Sequence, residues 1–362
     1  MKNYIYNFSA GPSMLPIEVM NKAHQEFKNW CNLGVSVLEI SHRSEEFLHL
    51  IKNSKKHLRN LLKIPENYKI LFFQGGARGQ FSAIPMNLTR KKNFTDYICS
   101  GHWSNQAAIE AQKYCCPNFI NVVSKINNKK IVLPMNKWKI NNQSDYIHYC
   151  PNETIEGLAI YEEPNFKDKN IIGDFSSTLL SRKINIKKYS LIYASAQKNI
   201  GTSGITIVII KKKLIKKSNF LVPSILDYKI ALKNNSLFNT PVNFSWYLSS
   251  LVFKWLKKIG GIEEIEKINI KKSKILYKFI DKSKLYRNKI HKNNRSCMNV
   301  IFTLKNEKLN NIFLHESRLH GLYALKNHKI AGGMRASIYN AMPIEGVKKL
   351  INFMLLFEKK YF

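Results

Sequence analysis

Two residues near the middle of the chain carry groups that can act together on one carbon atom. Asp174 lies in the apolar run 171–175 and Lys198 follows the run 191–194. Their separation of 24 positions (198 − 174) leaves room for one strand, a short connection and the next strand. A lysine can hold a carbonyl as an imine, and a carboxylate can keep a pyridine nitrogen protonated as an electron sink. A pyridoxal cofactor needs both. Spacing alone leaves a surface lysine and a helix-capping aspartate equally open, because Ser176, Ser177 and Thr178 follow Asp174. Segment 74–80, QGGARGQ, lies between an apolar run and a helical pattern, where small residues let backbone N–H groups close on a phosphate. On its own such a segment is more often a plain turn.

These groups need a scaffold that brings several strand ends to one edge. Short apolar runs at 68–73, 95–99, 146–149, 171–175, 191–194 and 205–210 alternate with longer amphipathic stretches. That pattern predicts an α/β fold with a mainly parallel sheet, whose ligand crevice lies outside the carboxyl ends of the strands. The gap 197–204 is too short for a parallel crossover, so 205–210 is expected to run antiparallel. A helix over 246–258 is expected to stop at Gly260 and Gly261, a pair suited to a helix end or a hinge. The domain boundary falls there. Beyond it, Lys-rich helical segments, a strand at 298–304 and a helix starting at Pro343 suggest a compact α+β domain.

A chain of 362 residues, 44% hydrophobic and 23% charged, is expected to form a large domain with a smaller partner. The net charge of +34 is spread along the chain among asparagines and isoleucines. The densest basic runs, 211–217 and 254–258, each border an apolar segment, so they read as solvated faces and not as a nucleic-acid surface. The first eight residues lack an apolar stretch with a cleavage site, and the longest apolar runs cannot span a bilayer. A cytoplasmic protein without a membrane partner is expected. Six cysteines occur without a CxxC pair, and the adjacent Cys115 and Cys116 are poorly placed to bridge each other or to clasp a metal. Reduced thiols and no metal site follow.

The strings NFSAGPSMLP (7–16), LEISHRS (38–44), GARGQF (76–81), HYCPNETIEG (148–157), DFSST (174–178), AQKNIG (196–201), PSILDY (223–228), FNTP (238–241) and GGMRASIYNAMP (332–343) occur in this order along nearly the whole chain. Taken together they resemble the phosphoserine aminotransferases, pyridoxal-phosphate enzymes of fold type I. The resemblance implies a large cofactor-binding domain over 16–259, with a mostly parallel mixed sheet, and a smaller α+β domain from 1–15 and 260–362. It implies transamination between 3-phosphohydroxypyruvate with glutamate and phosphoserine with 2-oxoglutarate. A second substrate, 4-phosphohydroxy-threonine in pyridoxine synthesis, is compatible with it, since rejecting one extra hydroxyl is intrinsically difficult.

Residue by residue, the resemblance makes Lys198 the imine lysine, Asp174 the partner of the pyridine nitrogen and Trp103 the ring stacked on the cofactor. Thr154 is similar to the hydroxyl that partners the cofactor's phenolate oxygen. Ala77, Arg78 and Gln197 fall where the family binds the cofactor phosphate, and Asn239 and Thr240 match residues that reach it from a neighbouring subunit. A homodimer with shared sites is implied. Arg335 resembles the arginine that grips the substrate carboxylate, with Ser9 nearby. His42, Arg43, His328 and Lys329 match positions around the substrate phosphate, the last two reaching over from the other subunit. Position 329 is usually arginine in the family, and position 77 is commonly glycine, so Ala77 requires a negative φ. A related pyridoxal enzyme such as a cysteine desulfurase would need a reactive cysteine on a mobile loop, and no cysteine here is so placed.

Overall fold

The computed structural model describes residues 4–90, 92–216 and 222–362. Lys217, at the end of one basic run, and residues 1–3 of the opening stretch lie outside them. Seven strands form the main sheet: β1 (Tyr68–Phe73), β2 (Phe94–Cys99), β3 (Cys116–Asn121), β4 (Tyr146–Tyr149), β5 (Asn170–Asp174), β6 (Leu191–Ser195) and β7 (Thr206–Lys211), in the order β1-β7-β6-β5-β4-β2-β3. The neighbours from β6 through β3 pair in parallel, and β7 pairs antiparallel with both β6 and β1. The short 197–204 connection therefore produces the reversal expected of it.

Period-two alternation sorts the strand side chains onto two faces. Leu71, Phe73, Tyr97, Tyr146, Ile172 and Tyr193 pack against α2 (Gly76–Leu88) and α3 (His102–Ala111). Ile70, Phe72, Ile98, Ile147, Ile171 and Ile192 join the core that includes α1 (Glu45–Leu62) and α4 (Asn243–Lys258). Strands buried on both faces read as continuous apolar runs, which is why they are visible in the sequence. The expected strand 171–175 is shifted by one residue, because Phe175 leaves the ladder to pack edge-on against Tyr189 at 5.1 Å.

Gly260 (φ +101°) and Gly261 (φ +76°) link α4 to α5 (Gly261–Lys282). The glycine pair thus joins two helices through backbone that other residues rarely adopt. Beyond it, β8 (Tyr286–Arg287), β9 (Asn299–Leu304) and β10 (Met334–Ser337) form an antiparallel sheet. That sheet, the second half of α5 and α6 (Ile344–Tyr361) share a core containing Leu276, Val300, Phe302, Phe313, Leu350 and Phe353. Phe8 is buried in the same core, and Tyr6–Asn7 pairs in parallel with Leu322–Tyr323. From there the chain runs back to the main sheet, where the Ser13 hydroxyl donates to the Lys198 carbonyl at 2.6 Å and the Ser13 N–H to the Gln197 carbonyl at 2.9 Å. Residues from both cores therefore meet at Lys198.

Candidate active site

The carboxyl ends of β1, β2, β4, β5 and β6 open onto one edge of the sheet. A cavity of about 250 Å³ at this edge is lined by Ala77, Arg78, Trp103, Cys150, Thr154, Asp174, Gln197 and Lys198, together with small residues of the same loops.

Lys198 follows β6, and its Nζ donates to the Thr154 hydroxyl at 2.7 Å. Burial pulls the amine down to about 8, opposed by the charge of Asp174 and assisted by that of Arg335. Asp174 ends β5. Its Oδ1 accepts from the Ser176 N–H at 2.9 Å and the Ser176 hydroxyl at 2.6 Å. Burial raises its pKa, and the Ser176 donors and Lys198 counter the rise. The Asp174 side chain also hydrogen-bonds Tyr193, whose hydroxyl is 2.9 Å from His148 Nε2. Ser176 thus solvates the carboxylate through its N–H and hydroxyl, and the aspartate caps no helix.

Across the cavity, Gly75 (φ +89°) and Gly76 (φ +67°) turn β1 into α2. They absorb the left-handed geometry, so Ala77 has no positive φ and sits inside the first turn. No side chain caps this helix, and its first-turn residues Gly76, Ala77 and Arg78 line the cavity. The Arg78 guanidinium lies over the Trp103 ring, 5.4 Å from its centroid. Trp103 sits at the start of α3, and its Nε1 is buried without a hydrogen-bond partner.

These groups fit pyridoxal phosphate by their chemistry. A depressed amine suits an aldehyde, a buried carboxylate suits a pyridinium, and uncapped helix N–H groups suit a phosphate.

Other expected residues lie around this centre. Arg335, on β10, is close enough for its charge to bear on both Lys198 and Glu156. Ser9 lies on the segment that crosses toward Lys198, with its N–H donating to Asn7 Oδ1. The His328 ring stands 5.8 Å from that of His102 in the same chain, and Lys329 is exposed next to it. His42 and Arg43 precede α1 and do not line the Lys198 cavity. Asn239 and the exposed Thr240 lie beyond Gln74, which donates to the Thr240 carbonyl at 2.8 Å, and Asn239 lines a separate cavity of about 320 Å³.

Sequence reasoning missed three neighbours. Cys150 lines the cavity, but burial and the nearby carboxylates of Glu153 and Asp174 push its thiol well up, so it stays protonated. A buried thiol at the end of β4 is no desulfurase nucleophile. Glu153 and Glu156, inside HYCPNETIEG, sit against the start of α3. The string itself was the available signal. Among the described residues no group of three potential metal ligands occurs, and no helix is long and apolar enough to cross a membrane. Cys31, Cys99, Cys115, Cys150 and Cys297 are free thiols.

The family model for class-V aminotransferases matches residues 5–350. The chain belongs to that family. Its enzyme class is therefore that of a pyridoxal-phosphate-dependent transaminase. It is 61% identical over 359 residues to a phosphoserine aminotransferase of Buchnera aphidicola from Acyrthosiphon pisum, covering 99% of each chain. Among solved structures it resembles the phosphoserine aminotransferase of Bacillus circulans, with a TM-score of 0.94 and 37% identity over 98% of this chain and 99% of that one. It also resembles the PLP-bound enzyme of Trichomonas vaginalis, with a TM-score of 0.91 and 37% identity over 97% of this chain and 99% of that one.

Proposed function

We propose that this class-V aminotransferase is a phosphoserine aminotransferase of serine biosynthesis, moving an amino group between glutamate and 3-phosphohydroxypyruvate. The observation that carries the reading is the Lys198–Thr154–Asp174 arrangement beneath Trp103, in a chain similar end to end to phosphoserine aminotransferases. Pyridoxal phosphate, when bound, supplies a sink for the electrons released when the substrate Cα–H bond breaks. Lys198 would hold the cofactor through Nζ and, when not so engaged, would be the group placed to take the proton from the substrate Cα. Its depressed pKa suits both tasks. Asp174 keeps the ring nitrogen protonated, and Thr154 holds the phenolate oxygen. Ala77, Arg78 and Gln197 receive the cofactor phosphate.

Arg335 takes the substrate carboxylate, with Ser9 beside it, and His42, Arg43, His328 and Lys329 surround the substrate phosphate. Asn239 and Thr240 serve the cofactor phosphate of a second copy, and their separation from this chain's own Lys198 cavity supports that reading. The working unit is then a homodimer, although the His328–His102 contact within one chain speaks for His328 and Lys329 serving their own chain's site. The division into 16–259 and 1–15 with 260–362 is supported in outline by the separate cores around the main sheet and around β8–β10, with Ile262, Ile265 and Ile290 crossing it to pack into the main-sheet core. A cytoplasmic location and a secondary use of 4-phosphohydroxy-threonine complete the proposal.

The purified protein supplied with pyridoxal phosphate should show a visible absorbance band that shifts when glutamate is added, and should form 2-oxoglutarate when 3-phosphohydroxypyruvate follows. A band that ignores glutamate overturns the aminotransferase reading. A band that shifts with no turnover of the phosphorylated keto acid overturns the substrate assignment.

A further inference from the structure

The HYCPNETIEG string contributes Thr154 to the reading above, but the acids on either side of it have no part there. Glu153 is fully buried and uses both carboxylate oxygens on α3. Its Oε2 accepts from the Trp103 N–H at 3.0 Å, and its Oε1 accepts from the Ser104 N–H at 2.9 Å and the Ser100 hydroxyl at 3.4 Å. Glu156 Oε1 accepts from the His102 N–H at 2.9 Å. Three successive first-turn amides of α3 are therefore held from outside the helix, by a loop that belongs to the end of β4.

The arrangement requires space at the helix start. Gly101 has an extended backbone (φ −176°), so conformational freedom is not its reason for being there. A Cβ on it would lie 2.6 Å from Glu153 Cγ and 2.7 Å from Glu156 Oε2. The Ser104 hydroxyl accepts from the Gly101 N–H at 3.1 Å, but the first-turn amides depend on the two acids, whose carboxyl pKa values burial raises, that of Glu153 to about 7.

The Trp103 indole has no comparable anchor. Its Nε1 is unpartnered, Arg78 lies over its ring, and His102 meets it edge-on at 5.1 Å between centroids. The ring also packs against the core over α2 and α3, but apart from that apolar contact nothing fixes it directionally. We infer that Glu153 is a positioning residue for the transamination site: by gripping the Trp103 amide it determines where the indole stands over the Lys198 cavity. The inference rests on the reading of Trp103 as the ring that covers the cofactor.

Glu153→Gln tests it with little change in volume. One amide oxygen can accept one N–H, but the amide nitrogen must then face the other N–H donor, so one first-turn group loses its acceptor. The probe is pyridoxal phosphate itself, titrated into apo-protein of the wild type, Glu153→Gln, Trp103→Ala and the double variant, with affinity and the circular dichroism of the bound cofactor as readouts. Far-ultraviolet circular dichroism and the melting transition establish that each variant is folded. Glu153→Gln should weaken cofactor binding on the order of tenfold and alter the cofactor's dichroism. In the Trp103→Ala background the same change should have no further effect, because there is no ring left to misplace. Equal losses in both backgrounds, or a Glu153→Gln protein with wild-type affinity and dichroism, overturn the inference while leaving Trp103's role intact. If Trp103→Ala binds and displays the cofactor like the wild type, the Trp103 reading falls and the inference falls with it. Should Glu153→Gln fail to fold, Glu153→Asp serves in its place: it keeps the carboxylate but withdraws it by one methylene from the Trp103 and Ser104 amides, and wild-type affinity and dichroism in that variant count against the inference.

Discussion

Lys198 Nζ donates a hydrogen bond to Thr154 Oγ1 across 2.7 Å, tying the amine after β6 to the loop after β4. The bond matters for protonation as well as position. Burial brings Lys198 down to about 8, so its neutral, nucleophilic form dominates above that pH instead of above the ordinary lysine range. The rate at which apo-protein captures pyridoxal phosphate should rise with pH and level off near that value. An accepting hydroxyl favours the protonated amine, so Thr154→Val should move the midpoint down by about half a unit to one unit. Stopped-flow absorbance against pH measures both; a rate still climbing at the ordinary lysine pKa sinks the prediction.

Gly101→Ala should be poorly tolerated although its backbone is ordinary. The new Cβ would press on Glu153 and Glu156 at 2.6 and 2.7 Å, and a crowded, buried contact of this kind costs about 1–3 kcal/mol. Chemical denaturation should show the loss. Gly34→Ala is not the right control, because its φ of +76° brings strain of its own. Gly79→Ala is suitable, since its Cβ would meet only the Gln74 carbonyl, at 3.5 Å.

Lys272 is buried on α5 and donates to the carbonyls of Ile338, Tyr339 and Met342 at 3.1, 2.7 and 2.9 Å. Lys272→Met leaves the Ile338 and Met342 carbonyls without this donor, while that of Tyr339 keeps the Met342 N–H, and should cost roughly 3 kcal/mol. Burial pulls this amine down to about 7, below its value in the unfolded chain. Between about pH 7 and the ordinary lysine pKa the unfolded state therefore binds more protons than the native state, so the lysine's contribution to stability rises with pH across that window. Urea midpoints of wild type and Lys272→Met measured at several pH values should diverge as pH rises. Parallel lines would show that the amine stays charged, as its three carbonyl partners alone would have it.

Arg43→Ala should weaken phosphoserine more than glutamate, by about tenfold or more if the guanidinium meets the phosphate through charge-assisted hydrogen bonds. Competition assays with the two amino acids decide this. Equal losses would assign Arg43 to a role that does not distinguish the phosphate.

Much of this architecture is legible in the chain because the central strands are buried on both faces and written as uninterrupted isoleucine, leucine and tyrosine runs. The β3 edge strand, Cys116–Asn121, escaped notice: it contains Pro117, and only Ile120 along it is buried. An edge strand has one neighbour and little apolar surface to record. Met334–Ser337 was likewise hidden, here inside a string that reads by its functional residues. At the site, Lys198, Asp174 and the 74–80 loop can be found from strand ends, since Asp174 closes its strand and the other two lie just past theirs. Glu153 could not be found that way. Its partners are the amides of Trp103 and Ser104, 50 and 49 positions earlier, and nothing in local spacing says which helix a carboxylate will cap.

The segment that crosses between the cores has a bearing on synthesis. Tyr6–Asn7 waits for Leu322–Tyr323 to pair with, the Ala10 carbonyl waits for the Tyr339 hydroxyl at 2.9 Å, and Ser13 closes on Lys198. On a ribosome, these residues emerge long before Leu322–Tyr323 and Tyr339 and stay unmoored until those partners have followed. The pocket at Lys198 is thus among the last features a nascent chain can complete, and a fusion partner placed ahead of residue 4 would be carried along beside it until that closure is made.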